Sequence, residues 1–113
     1  MTVEEKRELT SRQRAFLRSE AHSLHPLVMV GRDGVNAAVA AALAEAAERH
    51  ELVKVKFQAH KDEAKQLSAE LASLAGCTLV SVTGFTALYY KQNADRSKRI
   101  YDLKTLSVNE DNL

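Results

Sequence analysis

The 113-residue chain has no tryptophan, one cysteine, one proline and four glycines. The single cysteine, Cys77, excludes an internal disulfide and a zinc site built on several thiolates. No apolar run approaches the roughly 20 residues that cross a bilayer. The charged start, Met1 to Glu8, lacks the apolar segment of a signal peptide. A reducing cytoplasmic setting without a membrane partner is therefore expected. Catalytic patterns are missing as well. There is no Walker-type Gly-Lys-Thr, and no Ser/His/Asp or Cys/His set has recognisable spacing. His22, His25, His50 and His60 scatter over three segments, and Glu45 and Glu48 sit at i, i+3 as solvated helix pairs often do. The expectation is no enzyme, no metal, no cofactor and no small-molecule substrate.

What is present suits one soluble domain. Hydrophobic residues make up 45% of the chain, enough for a core at this length. The net charge of +1 hides an uneven distribution. Between Arg12 and Arg99 there are thirteen Lys/Arg against nine Asp/Glu, whereas the ends carry an acidic excess. A basic body between acidic ends suits a polyanionic partner.

Thr10-Ser11-Arg12-Gln13 reads as a capping box opening a helix that runs to about Ser23. Its apolar stripe is Phe16, Leu17, Ala21 and Leu24, and Pro26 ends the segment. Leu27 to Val30 is short and continuously apolar, as in a covered or parallel-paired strand. Asn36 is a good N-cap for an alanine-rich helix ending near His50, with Val39, Leu43, Ala46 and Ala47 inward. In Glu51 to Phe57, Val53, Val55 and Phe57 alternate with Lys54 and Lys56. Asp62 is expected to cap a third helix with the stripe Ala64, Leu67, Leu71 and Leu74, stopped by Gly76. Thr78 to Thr83 and Thr86 to Lys91 form a hairpin turning at Gly84-Phe85, and Ile100 to Leu103 one more short extended piece. Residues 1–8 and 104–113 read as flexible tails around a domain of residues 9–103.

The stretch Gly31-Arg32-Asp33-Gly34 joins the first strand to the second helix. Two strands separated by one helix pair in parallel with a right-handed crossover. The turn then falls at the carboxyl end of a strand, where open α/β sheets bind ligands. Glycine lets a polyanion approach the main chain, and the helix N-terminus and Arg32 add positive charge. Turns of this spacing also serve as plain connectors, so the motif does not decide by itself.

Four local patterns, in order and correctly spaced, resemble the CRM domain (chloroplast RNA splicing and ribosome maturation), in particular its stand-alone bacterial YhbY-like members. They are Leu9-Thr10-x-x-Gln13 with Leu17, Ala21, Leu24 and Pro26; Val30-Gly31-Arg32-Asp33-Gly34; His50-Glu51-Leu52-Val53-Lys54-Val55-Lys56; and Gly84-x-Thr86-x-Leu88-x-Tyr90-Lys91. The resemblance covers residues 9–91. It implies an α/β fold, a two-layer α-β-α-β-α-β-β domain with a four-stranded mixed sheet. That fold is similar to the C-terminal domain of translation initiation factor three and carries a KH-like Gly-x-x-Gly loop. It also implies RNA as partner, for the bacterial members precursors of the large ribosomal subunit. In one departure, members usually carry Lys or Arg just after the last hairpin's glycine, where this chain has Phe85.

The expected RNA contacts are main-chain groups of Gly31, Arg32, Asp33 and Gly34, with Arg12, Arg14 and Arg18 on the first helix. Lys54 and Lys56 on the second strand, and Lys91, Arg96, Lys98 and Arg99 after the last, complete the set. Asp33 should turn away from phosphate or hydrogen-bond the following helix. Tyr89, Tyr90, Tyr101 and Phe85 are candidate stacking platforms. The chain is expected to act as a monomer. The competing readings are a general RNA chaperone without ribosomal specificity and a protein–protein adaptor using the alanine-rich helix.

Overall fold

A computed structural model describes residues 9–103. The expected flexible tails, 1–8 and 104–113, lie outside the described residues. Helix α1 (Ser11–Ala21) opens on the expected capping box: the Gln13 N–H donates to Thr10 Oγ1 at 3.0 Å, and the Thr10 N–H to Gln13 Oε1 at 2.9 Å. Strand β1 (Val28–Val30) leads through the glycine turn to α2 (Ala37–His50), whose Asn36 cap accepts from the Val39 N–H at 2.9 Å. Strand β2 (Leu52–Phe57) and helix α3 (Ala64–Ala75) follow. Strands β3 (Thr78–Thr83) and β4 (Thr86–Tyr90) form the hairpin. The sheet order is β1-β2-β4-β3, with β1 parallel to β2 and the other pairs antiparallel, so the sheet is mixed as expected.

The alternation in β2 divides the core in two. Val53, Val55 and Phe57 face α2 and α3, joining Val28, Val30, Ala87, Tyr89, Leu43, Ala47 and Leu71. Leu52 faces the other way with Leu88, Tyr90 and Val80, and α1 covers them with Leu17 and Ala21. The two expected layers are thus the sheet and the α2–α3 pair, and α1 adds a partial third on the opposite face. The run Ala87 to Tyr90 is buried throughout, so β4 needs cover on both sides.

Some local expectations are refined or corrected. Asp62 does not cap α3; it lies in a short 3-10 turn, Lys61–Glu63, and the helix starts after Glu63 without a side-chain cap. The buried stripe of α3 is Ala64, Ser68, Leu71 and Ala75, which leaves Leu74 62% exposed on the outer side. Strand β1 is parallel-paired, one of the two expected alternatives, and is an edge with one covered face: Val28 and Val30 are buried, whereas Leu27 and Met29 face solvent beside Lys56. The extended piece at Ile100 to Leu103 forms no strand; it is held by side-chain contacts described below.

Candidate functional site

The register places three connections at one end of the sheet. Val30 pairs with Phe57, and the Phe57 N–H donates to Phe85 O at 2.8 Å. The glycine turn, the start of α2, the segment 58–63 and the hairpin tip are therefore neighbours. The Gln58 and Ala59 N–H groups both donate to Val30 O, at 2.9 and 3.3 Å, tying segment 58–63 to the end of β1.

The turn itself is closed by Gly34 N–H to Gly31 O at 3.0 Å. Arg32 and Asp33 both have negative φ, which with that bond identifies a type I turn. Gly34 follows at φ +74°, in the left-handed region. A right-handed residue followed by a left-handed one brings successive N–H groups toward a common point, a conformation suited to anions. Arg32 and Asp33 are exposed at the tip. The two glycines are not equivalent: a Cβ on Gly31 would meet nothing within 4 Å, whereas one on Gly34 would lie 3.6 Å from His60 Nε2 and be conformationally strained.

Cations at this end include Arg32, Lys56 and Lys61. Lys61 Nζ sits 4.9 Å from the centre of the Phe85 ring, so a positive charge stands over the residue that departs from the family pattern. Asp33, Asp62 and Glu63 are nearby acids, all exposed. Sequence reasoning missed Lys61 because its position against Phe85 depends on two loops 24 positions apart in the chain.

The remaining expected cations divide. Arg14 is half-buried and its Nη1 donates to Leu79 O and Val80 O, each at 2.8 Å, fastening α1 to β3. Lys54 is also half-buried, donating to Leu24 O at 3.0 Å. Both thus serve the fold. Arg12 and Arg18 are exposed on α1.

Lys91, Arg96, Lys98 and Arg99 gather at the opposite end of the sheet, where Lys91 N–H donates to Glu51 O at 2.9 Å. Six residues of β2 separate the two ends, about 20 Å at the usual strand rise. The structure does not bring the two groups together. Glu51 organises the far group. It is 1% exposed at φ +62°, and its carboxylate accepts from Asn93 N–H at 2.6 Å, Ile100 N–H at 2.8 Å and Tyr101 N–H at 3.2 Å. Asp95 accepts from Ser97 N–H and Oγ–H, which hold its carboxyl below the usual range and shape the 3-10 turn Arg96–Lys98. Arg99 Nε donates to Asn93 O at 2.7 Å. In the sequence Glu51 stands only as one member of the pattern His50 to Lys56, with nothing local to mark this role.

Two candidate stacking platforms are withdrawn. Tyr89 is fully buried, its hydroxyl donating to Ser68 O at 2.8 Å, and burial pushes it up to about 12. Tyr90 is 4% exposed and also raised to about 12, by burial and then by the Glu51 carboxylate. Tyr101 packs edge-on against Phe16 and Tyr90 at the rim. Phe85 remains exposed, at 48%. Among the described residues no group of His, Cys, Asp and Glu could hold a metal ion, and no helix is long and apolar enough to cross a membrane.

The architecture and the turn define a mixed α/β domain with a Gly-x-x-Gly loop at one end of its sheet. The chain belongs to the CRS1/YhbY (CRM) domain family, whose model matches residues 9–91. It is 38% identical over 91 residues to the "Probable RNA-binding protein YqeI" of Bacillus subtilis, covering 80% of this chain and 95% of that one. It is 33% identical over 96 residues to the "Probable RNA-binding protein PA4753" of Pseudomonas aeruginosa, covering 84% and 92%. The solution structure of hypothetical protein SAV1595 from Staphylococcus aureus superposes with a TM-score of 0.70 at 28% identity, covering 84% of this chain and all of that one.

Proposed function

We propose that the protein binds RNA through the glycine turn and works on ribosomal RNA, in precursors of the large ribosomal subunit. The single observation that carries this reading is the type I turn followed by left-handed Gly34 at the mouth of α2. Main-chain N–H groups there can hold a phosphate, and Arg32 supplies full charge beside the helix's partial charge. The names of the relatives support RNA as the partner.

Lys61, poised on Phe85, takes the place of the cation that the hairpin tip otherwise lacks. Lys56 and the exposed Met29 extend the surface along the open sheet face. Arg12 and Arg18 on α1, and Lys91, Arg96, Lys98 and Arg99 at the far end, give a second field of phosphate contacts for a longer RNA. Arg14 and Lys54 act from within the fold. Contacts of this kind position RNA with little base information, so specificity rests on RNA shape and single-stranded elements. The chain has no catalytic role and acts as a monomer in this reading.

Crosslinking the protein to RNA in cells and sequencing the captured RNA tests this. Enrichment of large-subunit precursor RNA is expected. Capture spread evenly over cellular RNA would favour a general chaperone. Association with proteins that survives nuclease treatment, without captured RNA, would favour an adaptor.

A further inference from the structure

We infer that His60 is a positioning residue for the glycine turn: it locks the Arg32–Asp33 peptide so that the Asp33 N–H faces outward. This rests on the proposed use of the turn in RNA binding. His60 Nε2 lies 2.7 Å from Arg32 O. A carbonyl only accepts, so Nε2 carries the proton and donates. The ring's Nδ1 lies 3.6 Å from Glu63 Oε1, and its Nε2–Cδ2 edge faces Gly34. His60 itself has φ +57°, a left-handed conformation that aims the ring back at the turn and that histidine adopts more readily than most residues.

In a trans peptide the C=O and the next N–H point in opposite directions. Fastening Arg32 O toward His60 therefore directs the Asp33 N–H away from it. The Arg32–Asp33 peptide is the one whose flip converts a type I turn to type II, and type II requires positive φ at Asp33. Aspartate tolerates that region better than most residues, so the sequence of the turn alone leaves the flip open. Flipped, the N–H would turn inward and a carbonyl oxygen would face the phosphate. His60 closes that alternative from another loop, without touching RNA.

The test compares His60→Leu, which removes the donor, with His60→Gln, which restores an N–H at similar reach. Neither side chain favours the left-handed region, so both carry the same backbone cost. In the free protein, His60→Leu should give a strong Arg32 Hα to Asp33 H^N Overhauser effect, the mark of a type II turn; wild type and His60→Gln should not. Affinity for a single-stranded RNA should fall about fivefold in His60→Leu, the equivalent of one ordinary net hydrogen bond. The slope of affinity against salt should stay unchanged, because no phosphate-neutralising charge is lost. His60→Gln should recover the affinity. An unaltered turn in His60→Leu, or no recovery in His60→Gln, would overturn the inference. Arg32→Ala separates the two levels. If it weakens RNA binding and His60→Leu does not, the role of His60 fails; if neither weakens binding, the RNA reading of the turn fails.

Discussion

On the proposed RNA reading, the two ends of the sheet would face a polyanion differently. At the glycine-turn end the presented groups belong to the main chain, held by backbone hydrogen bonds and one imidazole, and cations alternate with acids. At the far end the presented groups are side-chain charges on an irregular segment that one buried carboxylate gathers through three N–H bonds. Amide donors bind by geometry and survive salt; exposed lysines and arginines bind through counterion release and do not. One small sheet thus offers a shaped end and a charged end.

Breaking the far end should have the largest effect. Glu51→Ala leaves three N–H groups without their acceptor, and a loss of about 3 kcal/mol in urea unfolding is expected. The same variant should flatten the salt slope of RNA affinity, because Arg96, Lys98 and Arg99 lose their anchorage. Neutralising Lys91, Arg96, Lys98 and Arg99 together should lower that slope by about 3 with little change in stability, at roughly 0.7–0.9 per phosphate. Gly34→Ala attacks the shaped end. It should cost about 1 kcal/mol of stability through left-handed strain and weaken RNA binding without changing the slope. Gly31→Ala, with open space around its Cβ, should cost less than about 0.5 kcal/mol, and thermal unfolding of the pair distinguishes the two glycines. Lys61→Ala should likewise have a small effect on stability, about 0.5 kcal/mol for an exposed cation–π contact, and lower the slope by about 1 if Lys61 meets phosphate.

Much of the fold is legible in the sequence, because local signals agree with the global arrangement. Thr10 and Gln13, Asn36, and Gly76 at φ +72° each do what their positions predict. The βαβ unit fixes the parallel pair and hence the location of the turn. What the sequence does not reveal depends on contacts between distant segments. Arg14 and Lys54 look like free surface charges until the carbonyls of Leu79, Val80 and Leu24 come within reach. Leu74 belongs to an apolar pattern that two alternative helix faces satisfy, and the packing of Ser68 and Ala75 selects the other. His60 and Glu51 escape notice because each acts through main-chain groups at least 28 positions away, which no local pattern encodes.

The central claim, that main-chain groups of the glycine turn hold the RNA, is tested most directly by following the backbone amides in a titration with single-stranded RNA at rising salt. The Asp33 and Val35 amide signals should shift on binding and keep shifting at salt concentrations that abolish the changes at Arg96 to Arg99. Turn amides that stay in place while shifts are confined to residues 91–99 would contradict it.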